Sequence, residues 1–126
     1  MRLVDTSAWI EWFIDSPLAR DLSHQIPGQS ECVVPTIVQH ELCKWFLRER
    51  GEDIADEVLA FTELCVVVPL HTRLAVEAAE LARQHRLATA DAIVYATALA
   101  TRAELVTCDA HFAGFPGVIL IPKPAR

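Results

Sequence analysis

Apolar residues fall along this chain in short continuous runs, separated by longer segments in which they recur at helical spacing. Helical spacing places Ile37, Val38, Leu42 and Trp45 on one face of the segment that follows the second run. The continuous runs predict β-strands at residues 3–5, 32–34, 64–70, 104–108 and 118–121. Because these strands are apolar on both faces and alternate with helices, the pattern predicts a parallel sheet covered by helices on both sides.

Residues that favour helix ends predict where several helices begin. Thr6-Ser7, Thr36 and Thr89 can each cap the helix that follows them. The last of these helices contains the segment AIVYATALA (92–100), which has almost no polar face. We therefore expect this helix to be largely buried, whereas the other helices should each have one apolar face.

The composition indicates one domain over residues 1–126. A hydrophobic content of 52 % excludes a disordered chain, yet no apolar run approaches the length of a membrane span. Asp5 and Glu11 follow a single N-terminal arginine, so the N-terminus does not resemble a signal peptide. The four cysteines form no C-x-x-C pair, which indicates reduced thiols rather than a zinc site. We expect a cytoplasmic protein without membrane contact.

The net charge of −6 argues against a protein that coats nucleic acid without specificity, since such proteins are basic. Four of the negative charges belong to acidic positions in apolar surroundings, where a bound cation would offset them. The charge therefore permits an enzyme that cleaves nucleic acid, but does not by itself predict one.

Four acidic residues stand where the surrounding pattern favours apolar or small side chains. Asp5 and Asp109 end the first and fourth apolar runs. Glu41 interrupts an apolar helical stripe, and Asp91 lies in the first turn of the apolar helix. Sites in parallel α/β sheets form beyond the carboxyl ends of the strands, where these side chains can converge. Since buried carboxylates are costly without a cation, the pattern predicts a divalent metal site.

Each acid also has a purely structural explanation. Asp5 and Asp109 can cap helices, and Asp91 can interact with a helix dipole. Glu41 gains nothing in an apolar stripe unless it pairs with a basic residue of its own helix. One shared cation explains all four positions together. The predicted ligands are carboxylate oxygens, with no sulfur or imidazole, and such a set favours magnesium or manganese.

Four ordered fragments carry a resemblance to a known family. They are LVDTSAW (3–9), HEL (40–42), ADAI (90–93) and LVTCDAHF (105–112). Their order and spacing along the whole chain resemble those of PIN domains, specifically the VapC toxins, and the four acidic positions show no departure from the pattern. The resemblance implies a three-layer α/β/α fold with strand order 3-2-1-4-5.

The resemblance also implies an activity, that of a metal-dependent endoribonuclease acting as the toxin of a type II toxin–antitoxin pair. Asp5 and Asp91 would be direct ligands of magnesium or manganese. Glu41 and Asp109 would complete the catalytic cluster, directly or through water molecules. Water activated by the metal would hydrolyse RNA phosphodiester bonds and leave a 5′-phosphate and a 3′-hydroxyl. The partner implied is a VapB-like antitoxin.

Other polar residues are expected to support this cluster. Thr6, Ser7 and Thr107 could hold water molecules or orient the carboxylates from behind. His111 is interpreted as a loop residue rather than a general base. The cluster is therefore predicted to consist of carboxylates supported by neutral hydroxyl groups.

Three basic residues are candidates for contacts with RNA phosphates: Lys44, Arg48 and Arg86. The alternative is an ordinary solvated surface, which is the usual setting of lysine and arginine. The sequence leaves both explanations open, because spacing does not show which of these side chains lie beside the acids.

Aromatic residues of two helices predict a surface for a protein partner. Trp9, Trp12 and Phe13 span more than one helix face, and Trp45-Phe46 adds to them. Core packing is the simpler explanation. Alternatively, exposed members of the group would contact an antitoxin helix or form a homodimer, from which higher toxin–antitoxin assemblies can be built.

Two other functions fit part of the pattern. Another PIN nuclease, acting in RNA processing or on flap DNA, would have the same acids. From a different class, a receiver-like signalling domain also binds magnesium, and Lys123 follows the fifth strand as such a domain requires. A receiver needs an aspartate at the end of the third strand, however, and this chain has Pro69-Leu70-His71 there.

Overall fold

The computed structural model describes residues 1–124 and contains a five-stranded sheet. The strands are β1 (Arg2–Val4), β2 (Cys32–Pro35), β3 (Val66–Val68), β4 (Glu104–Thr107) and β5 (Val118–Leu120). Their order is β3-β2-β1-β4-β5, and every neighbouring pair is parallel. The predicted parallel α/β class and the order implied by the resemblance are both confirmed. This order excludes a receiver-like fold, which has the order 2-1-3-4-5.

Helices alternate with the strands and cover both faces of the sheet. They are α1 (Thr6–Phe13), α2 (Ala19–Ser23), α3 (Thr36–Glu49), α4 (Glu52–Glu63), α5 (Thr72–His85) and α6 (Thr89–Thr101). Short 3-10 helices lie at Gln29–Glu31 and Ala110–Phe112. β2 is buried along its whole length, as a strand between two helical layers must be. Within residues 1–124, no helix is long and apolar enough to span a bilayer.

The apolar helix α6 packs against β2 and β4, as its lack of a polar face predicts. Every residue from Ala92 to Ala98 is buried. The Tyr95 hydroxyl donates a hydrogen bond to the Pro116 carbonyl oxygen at 3.0 Å, so this polar atom remains satisfied. The first turn of α6 precedes this buried segment and carries Asp91, which is half-buried. Packing of the helix body therefore determines where Asp91 lies.

The helix caps differ from those predicted. Asp5, rather than Thr6 or Ser7, is the N-cap of α1, and its side chain accepts a hydrogen bond from the Thr6 N–H at 2.7 Å. Thr36 and Thr89 are the first residues of α3 and α6, and the residue before each has the extended backbone of an N-cap. Composition identifies residues near a helix start, whereas the backbone conformation of each residue decides which one is the cap.

The third strand is shorter than predicted. Residues 64–70 were expected to form it, but only Val66–Val68 pairs with β2. The N–H groups of Leu64 and Cys65 still donate hydrogen bonds to the last turn of α4. Pro69 has no N–H with which to extend the ladder. The apolar run therefore predicts too long a strand, because its first residues hydrogen-bond to the end of α4 and Pro69 cannot extend the ladder.

Candidate active site

The four predicted acids lie near the carboxyl edge of the sheet. Asp5 follows β1 directly, and Asp109 lies two residues after the end of β4, which is the neighbour of β1 in the sheet. Glu41 is carried by α3, the helix that begins where β2 ends, and Asp91 lies in the first turn of α6. Four different elements therefore supply the acids.

Asp5 is the most buried of the four carboxylates, with 5 % of its surface exposed. Its Oδ1 accepts the hydrogen bond from the Thr6 N–H at 2.7 Å. Its Oδ2 accepts hydrogen bonds from the Thr107 hydroxyl at 2.8 Å and from the Ser7 hydroxyl at 3.2 Å. All three donors are neutral groups, so they orient the carboxylate without balancing its charge.

The pKa of Asp5 shows that its charge is poorly accommodated by the protein alone. This pKa is raised from 3.8 to about 6, mainly by burial and to a smaller extent by the negative charges of Glu41 and Asp91. The hydrogen bonds from Thr107 and Thr6 act in the opposite direction. A buried carboxylate surrounded by like charges is a group that a bound cation would stabilise in its ionised form.

Ser7 and Thr107 join the ends of β1 and β4 behind the Asp5 carboxylate. The Thr107 hydroxyl oxygen accepts a hydrogen bond from the Asp109 N–H at 3.0 Å, and the Ser7 hydroxyl oxygen accepts one from the Cys108 N–H at 3.0 Å. The two hydroxyl oxygens lie 3.2 Å apart. Both hydroxyls therefore connect the Asp5 carboxylate to the backbone that follows β4.

Glu41 is linked to Asp5 through Thr6. The Thr6 hydroxyl donates a hydrogen bond to Glu41 Oε1 at 2.7 Å, while the Thr6 N–H donates to Asp5. Within residues 1–124, neither Lys44 nor Arg48 forms an ion pair with Glu41, and Arg48 Nε instead lies 2.9 Å from the carboxylate of the adjacent glutamate. A structural ion pair therefore does not explain the acid in this apolar stripe.

Asp91 and Asp109 meet at the imidazole of His111. His111 Nδ1 lies 3.3 Å from Asp91 Oδ2 and 3.2 Å from Asp109 Oδ1. One ligand atom from each of the three residues lies within 4.8 Å of the others. Burial raises the pKa of Asp91, the charge of Asp109 adds to the rise, and His111 opposes it. These donors fit a hard divalent cation, since carboxylate oxygens are the ligands that magnesium and manganese prefer.

His111 is the site residue that the sequence analysis missed. It was interpreted as a loop residue, and the site was expected to contain no imidazole; that expectation is wrong. His111 lies in the 3-10 helix Ala110–Phe112, and its N–H donates a hydrogen bond to Asp109 Oδ1 at 2.9 Å. The signal available in the sequence was its position two residues after Asp109, where a tight turn returns the side chain toward the aspartate.

A continuous path of short polar contacts joins all four acids. In order, it passes through Glu41, Thr6, Asp5, Thr107, Asp109, His111 and Asp91. The path spans the ends of neighbouring strands and the first turns of the helices beside them. The acids are therefore parts of one polar cluster rather than separate surface charges.

The structural explanations for the acids are also correct in part. Asp5 caps α1, and the Asp109 side chain caps the 3-10 helix that follows it. Asp91 lies where it can favour the α6 dipole. Capping does not require burial, however, and it explains neither the raised pKa of Asp5 nor the position of Glu41. The capping roles and the polar contacts between the acids therefore occur together in the same side chains.

Grooves lined by basic residues open beside the acids on two sides. Lys44 and Arg48 line one groove of about 340 Å³ together with Glu41. Arg86 lines another of about 290 Å³ together with Asp91. Lys44, Arg48 and Arg86 therefore each line a groove that also contains one of the four acids.

The fold is similar to those of solved toxin structures. A toxin–antitoxin complex from Klebsiella pneumoniae matches with a TM-score of 0.81 at 23% identity, over 94% of this chain and 96% of that chain. A VapC toxin from Mycobacterium tuberculosis that cleaves the sarcin-ricin loop matches with a TM-score of 0.77 at 19% identity, over 94% and 98% of the two chains. DNA-bound VapBC from Salmonella typhimurium matches with a TM-score of 0.71 at 20% identity, over 97% and 98%.

Sequence comparison gives the family directly. No curated protein sequence matches the chain significantly. The family model of the PIN domain, however, matches residues 2–118, a span that includes all four acids of the cluster. The resemblance drawn from the sequence fragments is confirmed, and this chain belongs to the PIN domain family.

Proposed function

We propose that this protein is a metal-dependent endoribonuclease and the toxin of a VapBC-like type II toxin–antitoxin pair. The observation that carries the proposal is the meeting of Asp5, Glu41, Asp91 and Asp109 in one polar cluster at the carboxyl edge of the sheet. Membership of the PIN family and the similarity of the fold to VapC toxins support the same activity.

In this proposal the carboxylates hold magnesium or manganese. Asp5 and Asp91 are assigned as direct ligands, and Glu41 and Asp109 complete the set directly or through water. His111 contacts two of these acids and is a further donor within reach. A divalent ion bound there would lower the pKa of a coordinated water and offset negative charge on the scissile phosphate.

The chain's own hydroxyl groups orient these carboxylates. Thr107 and Ser7 donate hydrogen bonds to one oxygen of Asp5, and Thr6 donates one to an oxygen of Glu41. Such contacts from behind a ligand fix its orientation and limit its motion. The products expected from hydrolysis by water are a 5′-phosphate and a 3′-hydroxyl.

The partner in this proposal is a VapB-like antitoxin, whose helix would occupy an apolar groove beside α1. Trp12, Phe61 and Ile26 line this groove, which has a volume of about 360 Å³. Trp9 and Phe46 are fully buried, so fewer aromatic residues are accessible to a partner than the sequence suggested. The similarity of the fold to VapBC complexes supports such a partner.

We also propose a homodimer, from which higher toxin–antitoxin assemblies would be built. A groove of about 320 Å³ between α5 and α6 is lined by small apolar residues and by Leu70, which is 44 % exposed. Apolar surface of this kind favours contact between protein chains. Size-exclusion chromatography with light scattering at micromolar concentration would measure the mass of the particle directly.

The activity is tested by incubating unstructured RNA with the purified protein in magnesium, in manganese and in chelator. We expect cleavage with either metal and none in chelator. Asp5→Asn should reduce the rate by about 100-fold or more, because it removes a ligand whose metal supplies several kcal/mol. Asp21→Asn, at an exposed position of α2, makes the same change in net charge and should leave the rate unchanged.

Two results would contradict the proposal. Undiminished cleavage in chelator would exclude metal dependence, and full activity of Asp5→Asn would exclude this cluster as the site. A flap DNA substrate and a structured RNA precursor belong in the same experiment. Preferential cleavage of either substrate would assign the cluster to another kind of PIN nuclease.

A further inference from the structure

The groove beside Glu41 combines an aromatic surface with two positive charges. It has a volume of about 340 Å³ and is lined by Thr6, Ile10, Ile37, His40, Glu41, Lys44, Trp45 and Arg48. Most of these residues come from one side of α3. The groove is continuous with the acidic cluster, because Thr6 and Glu41 belong to both.

Trp45 lies one helical turn beyond Glu41 on the same side of α3. Its ring packs edge-on against Phe46, with ring centroids 4.8 Å apart and an interplanar angle of 73°. Phe46 is fully buried, whereas Trp45 is only partly buried and its remaining surface lines the groove. The core thus holds the indole ring in place and leaves part of it accessible beside the acids.

Lys44 and Arg48 also lie one turn apart on α3, and both are exposed. Arg48 Nε contacts Glu49 at 2.9 Å, but an ion pair this exposed contributes little and leaves the other guanidinium nitrogens free. The groove therefore has two cations beside its aromatic surface, in a protein whose net charge is −6. Against these two cations the lining has one acid, Glu41, so the part of the groove beyond Glu41 is positive and favours an anionic occupant.

An aromatic ring flanked by cations is the arrangement that binds single-stranded nucleic acid, in which bases stack on the ring and phosphates contact the cations. We propose that Trp45 stacks an unpaired base next to the scissile phosphate, while Lys44 and Arg48 contact the neighbouring phosphates. This inference rests on the proposed nuclease function. It deepens that function by naming the residue that stacks a base beside the site and the two residues that contact the flanking phosphates.

Binding without cleavage tests this proposal independently of activity. The probe is a fluorescein-labelled oligouridine of twelve nucleotides, and its affinity is measured by anisotropy in chelator. The second probe is a sugar–phosphate oligomer of the same length that lacks bases. Removing the bases should weaken binding to the wild type by about 5- to 150-fold, the range expected for one stacked base.

Trp45→Leu should weaken oligouridine binding by a similar factor, and Trp45→Phe should retain most of the affinity. The loss of affinity from base removal and the loss from Trp45→Leu should not add, because the variant has no ring for a base to contact. The variant should therefore bind both probes with nearly equal affinity. Leu47→Ala is the matched control, since Leu47 is an exposed apolar residue of the same helix that does not line this groove. It should bind oligouridine as the wild type does.

The phosphate contacts have a separate readout. Lys44→Gln should reduce the slope of log K against log salt concentration by about 0.7, the value for one contact with a single strand. Arg73→Gln, at an exposed position of α5, removes the same charge and should leave the slope unchanged.

Three results would overturn the proposal. They are full additivity of base removal and Trp45→Leu, unchanged oligouridine binding by Trp45→Leu, and an equal loss in Leu47→Ala. If Trp45→Leu does not fold, as judged by circular dichroism, the comparison is made with Trp45→Phe and with the wild type on both probes. Equal affinity of the wild type for the two probes would then be decisive against stacking. Failure of the nuclease proposal, in contrast, appears as absent cleavage in metal and leaves these affinities unaffected.

Discussion

Replacing Asp5 by asparagine separates a metal ligand from a purely structural helix cap. The Asp5 side chain is 5 % exposed and accepts hydrogen bonds from three neutral donors. Asparagine has the same size and can still accept the bond from the Thr6 N–H, but it carries no charge. In metal-free protein, the substitution therefore removes a buried negative charge while it keeps the cap.

The magnitude follows from the pKa of Asp5, which is raised from 3.8 to about 6. At about 1.36 kcal/mol for each pKa unit, ionised Asp5 destabilises the metal-free fold by roughly 3 kcal/mol at pH 7.5. Asparagine avoids this penalty. Its amide must reorient the Thr107 and Ser7 hydroxyls, at a cost of about 0.5–1.5 kcal/mol for an imperfect hydrogen bond. We expect the variant to be about 1.5–2.5 kcal/mol more stable than the wild type in chelator.

The effect depends on pH with a definite sign. Folded Asp5 holds its proton up to about pH 6, whereas the unfolded chain loses it near pH 4. The folded state therefore binds more protons between these values, and the Asp5 contribution to wild-type stability falls as the pH rises through this window. Below about pH 4 the carboxyl is protonated in both states. There the variant should lose its advantage and become slightly less stable than the wild type.

Urea unfolding, followed by circular dichroism in chelator at several pH values, measures this difference. In magnesium, the same titrations at pH 7.5 should show the wild type to be more stable than the variant. A bound ion stabilises the wild type by about 2.7 kcal/mol at one hundred times its dissociation constant, and the variant should lose most of this gain. Asp21→Asn, on the exposed surface of α2, controls for the change in net charge.

A variant that is less stable than the wild type by the same amount at every pH would refute the reasoning, because a simple cap has no such pH window. An equal magnesium response in both proteins would show that Asp5 does not bind the ion. Either result would remove Asp5 from the proposed ligands, even though its hydrogen bonds remain as described.

Two further changes test the cluster. Asp91 and Asp53 both lie in the first turn of a helix. As the control, Asp53→Asn should lower the free energy of unfolding by only about 0.3–1 kcal/mol and keep the stabilisation by magnesium. Asp91→Asn should lose that stabilisation. Thermal melts with magnesium and with chelator compare them, and equal magnesium shifts would contradict a ligand role for Asp91. Thr107→Val removes a donor to Asp5 and an acceptor for the Asp109 N–H, so urea unfolding should show a loss of about 1–3 kcal/mol. Stability equal to that of the wild type would show that these hydrogen bonds contribute nothing.

Much of the fold could be predicted from the sequence because local periodicity encodes which face of each element is buried. The apolar runs at β1, β2, β4 and β5 were located within one residue at each end. Their continuous apolar character predicted a parallel sheet between two helical layers, and the segment AIVYATALA predicted the buried helix α6. The strand order, in contrast, came from the family resemblance, since periodicity does not say which strands are neighbours.

The candidate site was only partly determined by the sequence. Asp5 and Asp109 could be assigned to the carboxyl edge because each follows a strand. The hydrogen bond between Thr6 and Glu41 depends on how α1 packs against α3, and no local sequence pattern predicts that packing. The contact between His111 and Asp91 could not be predicted for the same reason, since it joins segments twenty residues apart.

What the sequence alone determined is therefore the set of elements and the acids that break their apolar pattern. The tertiary structure decided how deeply Asp5 is buried, which residue caps each helix, and which of the aromatic residues remain accessible. These properties depend on the separation of groups that are distant along the chain. Burial and electrostatic interactions both follow distances in space, so the raised pKa of Asp5 and the groove at Trp45 exist only once the helices have packed on the sheet.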